Sequence, residues 1–104
     1  MIESLIAERL SSLGAPIRLR MIRALVRAGD VGLTVGDLQR KLGLAASTHA
    51  HHLAALVNSG LVLQERIGRE VICRAAFQAL REVGTYLTDQ CCLDVEISGE
   101  AEAA

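Results

Sequence analysis

Between Leu33 and Leu61 the apolar positions follow a helical period twice, with one break between the two runs. Val35, Leu38 and Leu42 recur at i, i+3 and i+7, which places them on one face of a helix. Thr34 stands before that helix as its N-cap, and Asp37, three residues on, is the acidic partner of a capping box. Gly43 follows the last periodic residue and supplies the left-handed conformation that closes a helix, with Leu44 plugging the turn. Ser47 is a second N-cap candidate. It opens a helix whose apolar positions are Leu53, Leu56 and Val57 and which runs to Gly60. The pattern predicts two short helices joined by a tight turn, with Ser47, Thr48, His49, His51 and His52 on the open face of the second.

The flanking patterns build on this pair. Ile2, Leu5, Ile6, Leu10 and Leu13 are spaced for one face of a first helix that stops at Gly14. Pro16 sits where proline is best tolerated, in the first turn of a helix reaching about Ala28. That helix buries Ile17, Met21, Ile22, Leu25 and Val26 and leaves Arg18, Arg20, Arg23 and Arg27 mostly outside. After Gly60 the period drops to two: Leu61 to Ile67 and Val71 to Arg74 are β-branched, partly alternating segments, and Gly68-Arg69 punctuates them as a hairpin. Two strands alone are marginal, so the hairpin must lean on the helices. Phe77, Leu80, Val83 and Leu87 mark a last helix to about Gln90, kept small in places by Ala76, Ala79 and Gly84 and without an obvious place in the core. The predicted fold is mainly α with a small β-hairpin wing: a winged helix-turn-helix. The apolar faces of its terminal helices are expected to join two copies into a homodimer. Residues 1–92 form the DNA-binding and dimerisation domain, and 93–104 an acidic, flexible C-terminal tail.

Composition narrows the class. A chain of 104 residues, 51% hydrophobic and 22% charged, has room for one core. It holds no apolar run of membrane-spanning length, and Glu3 and Glu8 stand where a signal peptide would carry basic residues, so a cytoplasmic protein without membrane partners is expected. Three cysteines without a Cys-x-x-Cys pair agree with a reducing compartment. The net charge of -1 hides an asymmetry: Met1 to Arg81 holds eleven basic and six acidic residues, a balance of +5, whereas Glu82 to Ala104 holds six acidic and none basic, a balance of -6. The body suits a polyanion, and the tail would compete with one.

Short hydroxyls and imidazoles in the first turns of a helix suit an N-terminal end that enters a major groove. Ser and Thr bond phosphates or base edges, His donates to both, and the helix dipole faces the phosphates. A hairpin tip bearing Arg66 and Arg69 reaches a phosphate or the flanking minor groove. Dimerisation would set two reading helices ~34–36 Å apart, matching an inverted-repeat operator in double-stranded DNA. Catalysis is not indicated, because no Ser/His/Asp set, paired carboxylates or glycine-rich phosphate loop occurs.

Ala15-Pro16-Ile17-Arg18-Leu19-Arg20, His51-His52-Leu53 with Leu56, Ser59-Gly60-Leu61-Val62 and Gly68-Arg69, in this order of elements, resemble the arsenic-repressor (ArsR/SmtB) family of bacterial metalloregulators. The resemblance extends over nearly the whole chain to Cys92 and is specific as a set rather than piece by piece. It implies a homodimeric repressor that leaves its operator when an inducer binds, and contacts to DNA from Ser47, Thr48, His49 and His51. The family often has a serine where this chain has Ala50.

The inducer reading rests on the cysteines. The family's Cys-x-Cys arsenic site lies in the first helix of the reading pair, which here is Val35-Gly36-Asp37-Leu38-Gln39-Arg40, without a thiol. Its zinc site needs a histidine on the last helix, and 77–90 has none. The three histidines lie together in the reading helix without i, i+4 spacing. Cys91 and Cys92 remain, and soft thiolates select thiophilic ions. Inorganic arsenite has three replaceable oxygens and methylarsenite two, so a vicinal pair favours the organic form. Some family members with a Cys-Cys pair in this region resemble that selectivity. Cys73 is the candidate for a third ligand, but mid-strand among apolar residues it reads rather as a buried structural thiol. No cofactor is required on this reading, and a trivalent arsenical is the inducer. The alternatives are a thiol-redox or persulfide switch through the same cysteines, and a DNA-binding regulator with no small-molecule inducer.

Overall fold

Residues 1–95 are described by the computed structural model; the expected acidic tail from residue 96 on lies outside them. Helices α1 (Ile2–Leu13) and α2 (Pro16–Ala28) lead through a single 3-10 turn at Gly29–Val31 into strand β1 (Leu33–Thr34). Helices α3 (Val35–Leu42) and α4 (Ala46–Asn58), strands β2 (Val62–Ile67) and β3 (Glu70–Ala75), and helix α5 (Phe77–Thr88) follow. Among the described residues no helix is long and apolar enough to cross a membrane.

The helix ends follow local chemistry. Thr34 Oγ1 accepts from the Asp37 backbone N–H at 3.0 Å, as the capping pattern requires. Asp37 does not close the box with its carboxylate, which instead takes the Arg40 guanidinium one turn on. Thr34→Ala is expected to cost about 1 kcal/mol of stability, read as a shift in the urea midpoint at unchanged m-value. Gly43 ends α3 in the left-handed region (φ 67), where its N–H returns to the Gln39 and Arg40 carbonyls. Helix α4 begins two residues before the sequence predicts. Its N-cap is Ala45, which has no side chain to cap with, and Ser47 lies inside the first turn rather than at its boundary.

The hairpin has the predicted two-residue loop, with Ile67 opposite Glu70 and Gly68 at φ 63. It is not alone. Strand β1, which the sequence pattern did not reveal, pairs antiparallel with β3, Leu33 against Cys73 and Thr34 against Ile72, giving a three-stranded sheet in the order β1-β3-β2.

One core joins these layers. Met21 and Leu25 from α2, Leu38 from α3, Leu53 and Leu56 from α4, Leu61 just before β2, and Val62 and Cys73 from the sheet are all buried. A fully buried aliphatic side chain of this kind contributes roughly 1.5–3 kcal/mol. The first half of α5 also belongs here, contrary to expectation: Ala76 and Ala79 are buried in the core, with Phe77 and Leu80 packed against it. Val26, expected inside, is exposed. Of the apolar positions of α1 only Ile6 is buried, so Ile2, Leu5 and Leu10 remain exposed, as do Tyr86 and Leu87 of α5. Arg9 of α1 ties three helices together. Its Nε donates to the Ser59 carbonyl at the end of α4 (3.1 Å), and its Nη1 donates to Glu82 of α5 (3.3 Å).

Candidate nucleic-acid interface

Helix α4 divides into an inward and an outward face. Leu53 and Leu56 hold it on the core, and one turn earlier on the same stripe stands His49. His49 was expected on the open face; it is 1% exposed, which removes it from any surface that DNA could touch directly. The spacing 49, 53, 56 is itself the inward stripe, a signal present in the sequence and obscured by the polarity of imidazole. Ser47, Thr48 and His51 are exposed as expected.

Burial leaves His49 Nε2 without a hydrogen-bond partner and lowers the imidazole pKa from its ordinary value, because the charged form would lose its hydration. A folded-state pKa below the unfolded one means that the unfolded chain binds more protons. Stability is therefore full above the unfolded pKa near 6.5 and lost as pH falls below it. Thermal melts from pH 8 to pH 5 are expected to show a declining midpoint, with a shallower decline in His49→Gln. His52 is half-buried, and its Nδ1 accepts from Arg18 Nε of α2 at 3.0 Å. Burial and the neighbouring Arg18 and His51 charges lower its pKa as well, so His52→Gln is the second arm of that comparison.

The wing extends beside this pair. Arg69 occupies the hairpin turn and Arg66 lies on β2 opposite Val71; both are exposed. Arg69, Glu70 and Val71 form one wall of a cleft of about 480 Å³, completed by Thr34, Val35 and Gly36 at the start of α3 and by Arg40 of its last turn. This brings a wing arginine, a hydroxyl and a helix N-terminus together, and sequence reasoning, which read Thr34 only as a cap, missed it. Anion affinity at such a terminus is a general property.

The cysteines are arranged in two environments. Cys73 is fully buried in β3, where Gln64 Nε2 lies 3.5 Å from its sulfur and burial pushes the thiol pKa up. Cys91 and Cys92 are exposed in the turn after α5, their sulfurs 3.1 Å apart. Left-handed backbone at Gln90 (φ 62) and Cys92 (φ 67) folds this turn back on itself. The contact with Cys91 raises the pKa of the Cys92 thiol, with a smaller contribution from burial. Among the described residues no three His, Cys, Asp or Glu side chains come together as a metal-binding group, so the thiols form a pair and not a triad.

Known proteins share this architecture. A sequence model described as a helix-turn-helix domain matches residues 13–65. The transcriptional regulator NmtR of Mycobacterium tuberculosis is 37% identical over 67 residues, which is 64% of this chain and 53% of that protein; the chain thus spans about half the length of this curated relative. Among solved structures, an ArsR-like transcriptional regulator from Rhodococcus sp. RHA1 superposes with a TM-score of 0.73 at 26% identity, covering 83% of this chain and 78% of that one. A protein described as a "possible transcriptional regulator for arsenical resistance" superposes with a TM-score of 0.68 at 27% identity, over 93% and 97% of the two chains. With the order of its helices, its reading pair and its wing, the chain belongs to the ArsR/SmtB family of winged helix-turn-helix transcriptional regulators.

Proposed function

We propose that the chain is a cytoplasmic, dimeric transcriptional repressor that holds an inverted-repeat operator through α4 and the wing. It leaves that DNA when a trivalent arsenical, methylarsenite in preference to inorganic arsenite, is captured by Cys91 and Cys92. Ser47, Thr48 and His51 supply the exposed donors and acceptors at the start of the reading helix, and Arg66 and Arg69 the phosphate contacts of the wing. His49 supports the helix from within. The exposed apolar residues of α1 and α5 supply the surface on which two copies would meet.

The observation that carries the inducer reading is a pair of exposed thiols 3.1 Å apart with the third thiol buried in the sheet. Two thiols and one methylarsenite exchange without change of oxidation state: two As–S bonds form, two As–O bonds break, and the thiol protons leave with the hydroxyls as two waters. Glu82 of α5 is joined through Arg9 to the carbonyl of Ser59 at the end of α4, a contact by which a displacement of α5 would reach the reading helix.

The test is fluorescence anisotropy of the protein on the duplex immediately upstream of its own gene, titrated separately with methylarsenite, inorganic arsenite and zinc under reducing conditions. Release by near-stoichiometric methylarsenite is expected. Tight binding that none of the three disturbs would refute the arsenical reading and leave the repressor, and no binding to that duplex would remove both.

A further inference from the structure

Of the eleven basic side chains four are held by partners; of the other seven, Arg66 and Arg69 lie on the wing, Arg81 lies on α5, and four gather at α2 and α3. Arg9, Arg40 and Arg74 each meet a carboxylate, and Arg18 is held by His52 and the Ser12 carbonyl. Arg20, Arg23, Arg27 and Lys41 have no such partner among the described residues, and all four line one open cleft of about 410 Å³ floored by Ala24 and Leu42. The helical period explains the gathering. Positions 20, 23, 24 and 27 share one face of α2, with Ala24 turned against the core. Arg23 and Arg27 are a like-charge i, i+4 pair and Arg20 and Arg23 an i, i+3 pair, both unfavourable for an isolated helix, and α2 contains no acidic residue to offset them. A solvated face needs no such concentration of one sign. The last two residues of α3 close the cleft, and from Leu42 the chain passes through Gly43, Leu44 and Ala45 directly into the first turn of α4. This cluster is thus continuous along the chain with the start of the reading helix.

We propose that the α2–α3 cleft is a second DNA-backbone site, in which Arg20, Arg23, Arg27 and Lys41 take phosphates flanking the segment read by α4, lengthening the footprint beyond the helix and wing. This rests on the DNA-binding reading above. Charge complementarity and continuity with the reading helix select duplex phosphate over the chain's own acidic tail, and the two occupants have opposite signatures.

The experiment measures affinity for the upstream duplex against salt concentration, for the intact chain, for Arg20→Gln/Arg23→Gln/Arg27→Gln, and for Lys41→Gln alone. Each lost phosphate contact should flatten the slope of log K against log salt by about 0.9. The triple variant is expected to lose about 2–3 per subunit and Lys41→Gln about 1, with unchanged far-ultraviolet circular dichroism. The single exposed change keeps the test valid if the triple variant folds poorly. Slopes equal to the intact chain's would overturn the proposal in favour of a solvated face. Tighter binding by the variants would overturn it in favour of the tail. If the intact chain itself does not bind the duplex, the functional reading fails first, and equal slopes cannot be mistaken for that result.

Discussion

Cys91→Ser with Cys92→Ser will bind operator DNA as the unsubstituted chain does and will stay bound when methylarsenite is added. The two thiols are exposed and lie beyond the last helix, outside α4 and the wing, so their loss should leave the reading surface intact. What disappears is the only pair of sulfurs among the described residues close enough to hold one arsenic atom. An inducer that couples to DNA binding typically changes affinity about 5–150-fold, and in the double variant that factor should fall to one. Either serine alone leaves a single thiol, which one arsenic atom can bond but not chelate, so each single variant should need far more methylarsenite for release. Cys73→Ala is the informative control. Its sulfur is buried in the sheet, so its removal should lower stability and leave the response in place. A response that survives the double serine variant would exclude the pair as the sensor.

Gly32→Ala should be the most damaging glycine-to-alanine change among the described residues. Gly32 sits at φ 74 and ψ −170, a region essentially closed to L side chains, and a Cβ there would lie 2.5 Å from the Cys73 carbonyl oxygen. The conformation alone costs about 1–3 kcal/mol. The contact adds to it, because a backbone carbonyl in mid-sheet cannot step aside. Denaturant unfolding should show a loss at or above the top of that range. Gly36→Ala, whose added carbon would meet only the mobile end of Arg40 at 3.4 Å, should show none. A mild effect at Gly32 would mean that β1 is not held against β3 in solution.

That same strand marks where the sequence stopped being informative. Helices α2 and α3 were legible because each couples a periodic stripe to punctuation at both ends: Pro16 and Gly29, Thr34 and Gly43. The hairpin was legible from Gly68 and the period of two around it. A strand of two residues has no period to detect, and Leu33-Thr34 pairs only because β3 offers a free edge. The start of α4 was misplaced because Ala45 and Ala46 carry no capping chemistry, whereas Ser47 does. At the site, polarity misled where geometry would not have. His49 was grouped with Ser47 and Thr48 by chemical type, although its spacing to Leu53 and Leu56 places it on the core. The contacts of Arg9 with Ser59 and Glu82 span 50 and 73 residues of sequence, and no local pattern encodes them.

The third strand also bears on which operators the protein could accept. Because β1 leads directly into α3, β2 follows α4, and β3 pairs with both, the wing is anchored at each end of the reading pair. Wing, α3 and α4 therefore form a closed linkage with little freedom to swing. On the proposed mode of binding, a wing held this way would adapt little to a displaced backbone, and the duplex would supply the adjustment. Base steps that the protein never touches then enter selectivity through their stiffness, and the preferred operator becomes partly a matter of how readily it bends.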